Sequence, residues 1–203
     1  MNAYLMITVW FAAIVGYVFG VLYFRRRRAW LGYYLFASLG LVLIIVFGAQ
    51  VIGLASRSEY ITTWTTVKAA NLFGITSLFL GQSEFMVADK NGWVTLQTTI
   101  ECSALIESSV LLGLILFYPA FNFSKKMLIL AIGLPVTWIT NIIRLLIITL
   151  MVSYYGRSAV FLGHAIVGRL FFLIVMVAMY WFILTMPTIR EVASNVEAAE
   201  ARS

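Results

Sequence analysis

A chain of 203 residues that is 63% hydrophobic and only 11% charged is not an ordinary soluble domain, where about half the residues are apolar and about a quarter charged. Its net charge of +6 does not point to nucleic acid, because the basic residues cluster beside apolar runs, as Arg25, Arg26, Arg27 and Arg28 and then Lys125 and Lys126, where they act as an orientation signal. Cys102 is the only cysteine, which excludes an internal disulfide, and neither a metal site nor a cofactor is expected.

The composition predicts an all-α integral membrane protein with about five transmembrane helices in a single multi-pass domain. The first span covers roughly residues 4–24. No basic residue precedes it and four arginines follow it, the reverse of a signal peptide. The N-terminus is therefore expected outside and residues 25–28 inside. A second span, roughly 30–55, returns to the outer face. The external segment 56–101 is threonine-rich and carries Arg57, Glu59, Lys68, Glu84, Asp89 and Lys90. Within it, residues 61–80 place Trp64, Val67, Leu72, Ile75 and Leu78 on one helical face, which predicts an extracellular interfacial helix. A spanning helix is the competing reading, and it would bury Lys68 and Asn71. Asn91-Gly92, between Phe85-Met86-Val87 and Trp93-Val94-Thr95-Leu96, favours a tight turn and predicts a small β-hairpin before the third span.

The third span, roughly 102–119, heads inward, and residues 122–126 form a short cytoplasmic connector. The fourth, 127–153, heads outward to a tight external loop at 154–158. The fifth, 160–186, returns inward, leaving a polar tail with Arg190 and Arg202 inside. This topology puts Cys102 at the outer start of span three and His164, the only histidine, near the outer start of span five. Arg144 lies about 13 Å below the outer end of span four at the helical rise, within snorkelling reach of the interface. All three fall in the outer half of the bilayer.

Each of them has a plain structural alternative. A cysteine in a span commonly packs as a small apolar residue, and a histidine at a span end commonly rests at the interface. An arginine in a span is costlier, at about 2.5–3.5 kcal/mol on insertion scales, so it needs a partner or a wet cavity. Asn141 shares the helical face of Arg144, and Glu101 adjoins the thiol. Glu107 and Arg169 form an ion pair on one reading; on another, Glu107 is the counter-ion of Arg144.

Glu101-Cys102-Ser103-Ala104, Asn141-Ile142-Ile143-Arg144 and Gly163-His164, in this order on successive spans, resemble the three signature segments of the exosortase/archaeosortase family, and the short chain resembles the compact exosortases of Gram-positive bacteria. The resemblance runs from roughly residue 84 to 184. Ala104 departs from it, since glycine is common after the Cys-Ser pair. The family likeness implies a cysteine transpeptidase or protease of the bacterial cell membrane, its active site facing the extracytoplasmic side, with Cys102, Arg144 and His164 as the catalytic set. It also implies substrates that are secreted proteins with a C-terminal tripartite sorting signal, made of a recognition motif, a transmembrane helix and a basic cluster. The lipid bilayer is the other partner, and the amine acceptor is left open.

The residue types suit that chemistry. Nearby positive charge favours the reactive thiolate, as would the positive end of a helix beginning at Cys102. Histidine can deprotonate the thiol and later protonate the leaving amine. Arginine stays charged and can hold a developing oxyanion while a thioacyl enzyme forms. One rival is a non-enzymatic scaffold for surface-polymer assembly. Another is a small transporter subunit, which the apolar inner halves of spans three to five disfavour.

Overall fold

A computed structural model describes residues 3–89 and 92–185. The tail beyond them, with Arg190 and Arg202, and the hairpin tip at Lys90 and Asn91 lie outside the described residues. Among the described residues four helices are long and apolar enough to cross a membrane. These are α1 (Ala3–Arg26), α2 (Trp30–Val51), α5 (Phe123–Tyr155) and α6 (Ala159–Thr185). Between them lie α3 (Leu54–Leu72) and the shorter apolar helix α4 (Leu105–Phe117).

Small residues let these helices approach closely, as helices in lipid require. The carbonyl of Ser38 in α2 lies where a Cβ on Gly113 of α4 would come within 2.8 Å of it. The Ser38 hydroxyl donates to the Gly113 carbonyl at 3.1 Å. Trp10 and Tyr17 of α1 donate to the carbonyls of Ile44 and Ala37 in α2, so aromatic side chains lace the first hairpin of helices together.

α3 is not among the helices that could span. It buries Thr62, Thr63, Thr66, Val67 and Ala70 and leaves Tyr60, Ile61 and Trp64 exposed. The helix begins earlier than the expected 61–80, at Leu54, and ends earlier, at Leu72, because Gly74, with φ of +77°, turns the chain out of it. Ile75 and Leu78, read as part of the helical face, therefore leave the helix. Leu78 enters a strand, β1 (Ser77–Gly81), which pairs antiparallel with β2 (Glu84–Asp89). The expected hairpin of β2 with β3 (Gly92–Gln97) is present and gains this third strand, in the order β1-β2-β3. Alternation carries Phe85, Val87 and Val94 inward onto Val67 and Ala70 of α3 and Leu145, Ile148 and Val152 of α5. Cys102 belongs to this same core.

The sheet sits by the C-terminal end of α5. Asp89 lies so near Gly156 that a Cβ there would come within 2.6 Å of its carboxylate. At the other end of α5, Lys126 shares a cavity with Arg25, Trp30, Tyr33 and Phe117, and its ammonium donates to the Leu116 carbonyl at 2.6 Å. Both basic clusters are thus gathered at the end of the bundle away from the sheet.

Candidate active site

Cys102 closes a single 3₁₀ turn, Ile100–Cys102, rather than opening a helix. The chain turns again at Ala104, whose φ of +59° is left-handed, and α4 begins only at Leu105. The expected help from a helix dipole is weakened accordingly, since that effect is confined to the terminal turn. A left-handed alanine costs about 1–2 kcal/mol relative to its usual region, and glycine adopts it freely.

The charge beside the thiol comes from α5 instead. Arg144 Nη2 donates to Cys102 Sγ at 3.8 Å, in a setting where Cys102 is 2% exposed and Arg144 5%. Thr99 Oγ1 approaches the same sulfur, also at 3.8 Å. One helical turn before Arg144, fully buried Asn141 donates from Nδ2 to the Cys102 carbonyl at 2.6 Å. Asn141 thus holds the backbone of the nucleophile candidate while Arg144 holds its side chain. Phe172 of α6 lies under the guanidinium, 5.5 Å from ring centre to Cζ, an attractive cation–π arrangement.

His164 comes from α6 and faces the same cavity as Cys102, about 250 Å³ in volume and walled by Phe85, Thr98, Leu145 and Val160. It lies in a widened turn, Leu162–Val167, closed by a bond from the Gly168 amide to the Gly163 carbonyl. Such one-turn expansions of a helix recur at functional sites. Gly168 is needed there: a Cβ on it would lie 2.8 Å from the Gly163 carbonyl oxygen and 2.9 Å from Ile148.

Arg144 itself borders a second cavity, of about 470 Å³, together with Glu101, Glu107, Arg169 and Phe172. Its bond to the Cys102 sulfur links this space, which Arg144 lines, to the first, which Cys102 lines. Glu107 Oε2 and Arg144 Nε are both buried without a hydrogen-bond partner, so the direct pairing of these two expected as one alternative is not made. Glu101 and Arg169 are exposed on the rim. The seven residues singled out from sequence therefore divide. Asn141 and Arg144 bond to Cys102 and His164 lines its cavity, while Glu101, Glu107 and Arg169 border the second cavity with Arg144.

Thr99, Phe172 and Gly168 were not singled out. Thr99 had a signal, since a hydroxyl three residues before Cys102 falls over it in a tight turn. Phe172 had none, because its contact depends on how α6 packs on α5.

A model of the transmembrane exosortase family matches residues 2–181. No curated protein matches the chain, and no solved structure does.

Proposed function

The chain belongs to the transmembrane exosortase family, and from that premise we propose that Cys102, Arg144 and His164 are the catalytic set of a membrane cysteine transpeptidase that cleaves the C-terminal sorting signal of secreted proteins. The observation that carries this reading is the guanidinium of Arg144 donating to the sulfur of Cys102 at 3.8 Å, with His164 on the same cavity. A buried cation beside a thiol stabilises the thiolate.

In this mechanism His164 takes the thiol proton and the thiolate attacks the carbonyl carbon of the scissile amide. Negative charge develops on the carbonyl oxygen and is met by Arg144. The C–N bond then breaks as the imidazolium returns the proton to the leaving amine, leaving a thioester on Cys102. An amine acceptor attacking that thioester gives transfer, and water gives proteolysis. Asn141 acts through Cys102 by fixing its carbonyl.

The proposed orientation has the sheet and the site on the extracytoplasmic side and the N-terminus outside. Its support is the gathering of Arg25 and Lys126 at the end of the bundle away from the sheet, as the positive-inside rule requires of a cytoplasmic end. A substrate tail with its own basic cluster would align the same way, which brings the bond before its transmembrane helix level with Cys102.

The decisive experiment traps the covalent step. Wild-type enzyme in membranes, given a reporter with a tripartite tail and no acceptor amine, should accumulate reporter fragment on Cys102, released by hydroxylamine and identified by mass spectrometry. Cys102→Ala should abolish processing while inserting normally. A Cys102→Ala enzyme that still trims the reporter would refute nucleophilic catalysis and leave the scaffold reading in its place.

A further inference from the structure

The two edges of the small sheet are treated differently. At the β1 edge, Asn71 of α3 donates from Nδ2 to the Ser77 carbonyl at 3.0 Å and accepts from the Ser77 amide at 2.9 Å. The side chain of Asn71 therefore does what another strand would do. Among the described residues, no side chain bonds the backbone of β3 in this way.

The register fixes which groups of β3 are open. Asp89 lies opposite Gly92, Val87 opposite Val94 and Phe85 opposite Leu96. The Thr98 amide continues the ladder by donating to the Ser83 carbonyl at 2.8 Å, and the Ala88 amide turns the other way, to Thr76 of the β1 side at 2.9 Å. Backbone groups alternate between neighbours along an antiparallel strand. Those of Val94, Leu96 and Thr98 thus face β2, and those of Trp93, Thr95 and Gln97 face away from the sheet. Among the described residues, no backbone hydrogen bond outside the ladders involves Trp93, Thr95 or Gln97.

That open edge leads to the candidate nucleophile. Thr95, Gln97 and Thr98 line the cavity that holds Cys102 and His164. Toward the tip, Gly92 and Trp93 line a further space of about 330 Å³ against the α5–α6 turn. β3 also carries no charged residue, the common device by which exposed edges are protected from pairing.

We propose that the extended segment of the substrate just before its transmembrane helix adds to β3 as a fourth strand and so delivers its scissile bond to Cys102. This rests on the function proposed above and deepens it. Strand addition supplies affinity through main-chain hydrogen bonds, and an edge the length of β3 spans about 20 Å of extended chain. The direction also follows. α5 bonds Cys102 from Asn141 and Arg144 and meets Asp89, at the end of β2, only at Gly156, so Asp89 and its partner Gly92 lie toward the end of the bundle. A substrate chain that enters the bilayer after the scissile bond therefore runs parallel to β3, from Gly92 toward Cys102.

The test uses full-length enzyme in nanodiscs and synthetic peptides covering the cleavage segment of a tripartite-tail reporter. Each peptide carries one N-methylated amide before the cleaved bond. Strand addition predicts that kcat/KM falls about tenfold, the weight of one hydrogen bond, at every second position and stays near the parent value between them. Thr95→Pro should lower kcat/KM by a similar factor, chiefly through KM, since it removes an outward amide and no ladder bond. Uniform tolerance of N-methylation, with the parent peptide still forming its thioester at Cys102, would overturn strand addition and leave the chemistry standing. A parent peptide that forms no thioester would remove both.

Discussion

Cys102 lies in an apolar cluster with Phe85, Val87 and Ile148. Among the described residues Arg144 is the one cation bonded to its sulfur, and it does so through a single nitrogen. Arg144→Lys should therefore be damaging although it keeps the charge. An ammonium is a point charge without the planar fork, and it would lose the stacking on Phe172. Processing of a tail reporter should drop about a hundredfold, the usual cost of an oxyanion donor, with normal membrane insertion. Normal processing by Arg144→Lys and Arg144→Ala, with Arg169→Ala inactive, would mean that the wrong arginine has been assigned. A second prediction concerns Ala104. Replacing it with glycine relieves the left-handed strain and should stabilise the protein by about 0.5–1 kcal/mol, visible as a higher unfolding temperature in detergent. An unchanged or lower temperature would contradict the φ of +59°. At this scale the sequence was informative because an arginine or a lone histidine in an apolar run stands out. The left-handed turn at Ala104 was not visible, since it depends on how the chain leaves the 3₁₀ turn to enter α4.

Among the elements, the widened turn of α6 has the clearest consequence. Gly163 lies within it and Gly168 closes it, but only Gly168 is crowded. A Cβ on Gly163 meets nothing nearer than Met151 Sδ at 3.5 Å, an ordinary contact, whereas one on Gly168 meets the Gly163 carbonyl oxygen at 2.8 Å. Gly168→Ala should cost about 1–3 kcal/mol, the range for overpacking, and should lower processing by displacing His164. Gly163→Ala should cost less stability. Thermal unfolding of both variants in the same detergent checks the order. The long helices could be read from hydropathy alone, because a span must be apolar over its whole length. β1 could not. Ser77-Leu78-Phe79-Leu80 is a short apolar run whose periodicity fits helix or strand, and only the Gly74 turn and the pairing with β2 decide it.

The molecule as a whole is polarised, with Arg25 and Lys126 at one end and the sheet with the cavity of Cys102 and His164 at the other. Cys102 is too buried to report its own orientation, so exposed positions should be used in a Cys102→Ala background. Ser158→Cys, in the exposed turn between α5 and α6, should react with an impermeant maleimide on intact cells. Ser124→Cys, at the start of α5, should react only after the membrane is opened. The reverse pattern would invert the orientation and put the site on the wrong side for secreted substrates. Polarity of this kind is legible in sequence because charge position alone sets it. The convergence of Asn141 and Arg144 on Cys102 is not, since it requires α5 to lie against the turn that precedes α4.

The short α4 gives the site a dependence on the membrane itself. Its 13 residues extend only about 20 Å at the helical rise, against a hydrocarbon core of about 30 Å. In the proposed orientation Cys102 stands three residues before the outer end of this short helix. A lipid layer that meets so short a helix must thin around it, at a cost that grows with each ångström of hydrophobic mismatch. Processing in reconstituted vesicles should therefore decline as acyl chains lengthen, with insertion held constant. The enzyme would then favour tail helices that are themselves short, and bilayer thickness would act as a selectivity filter that no side chain provides.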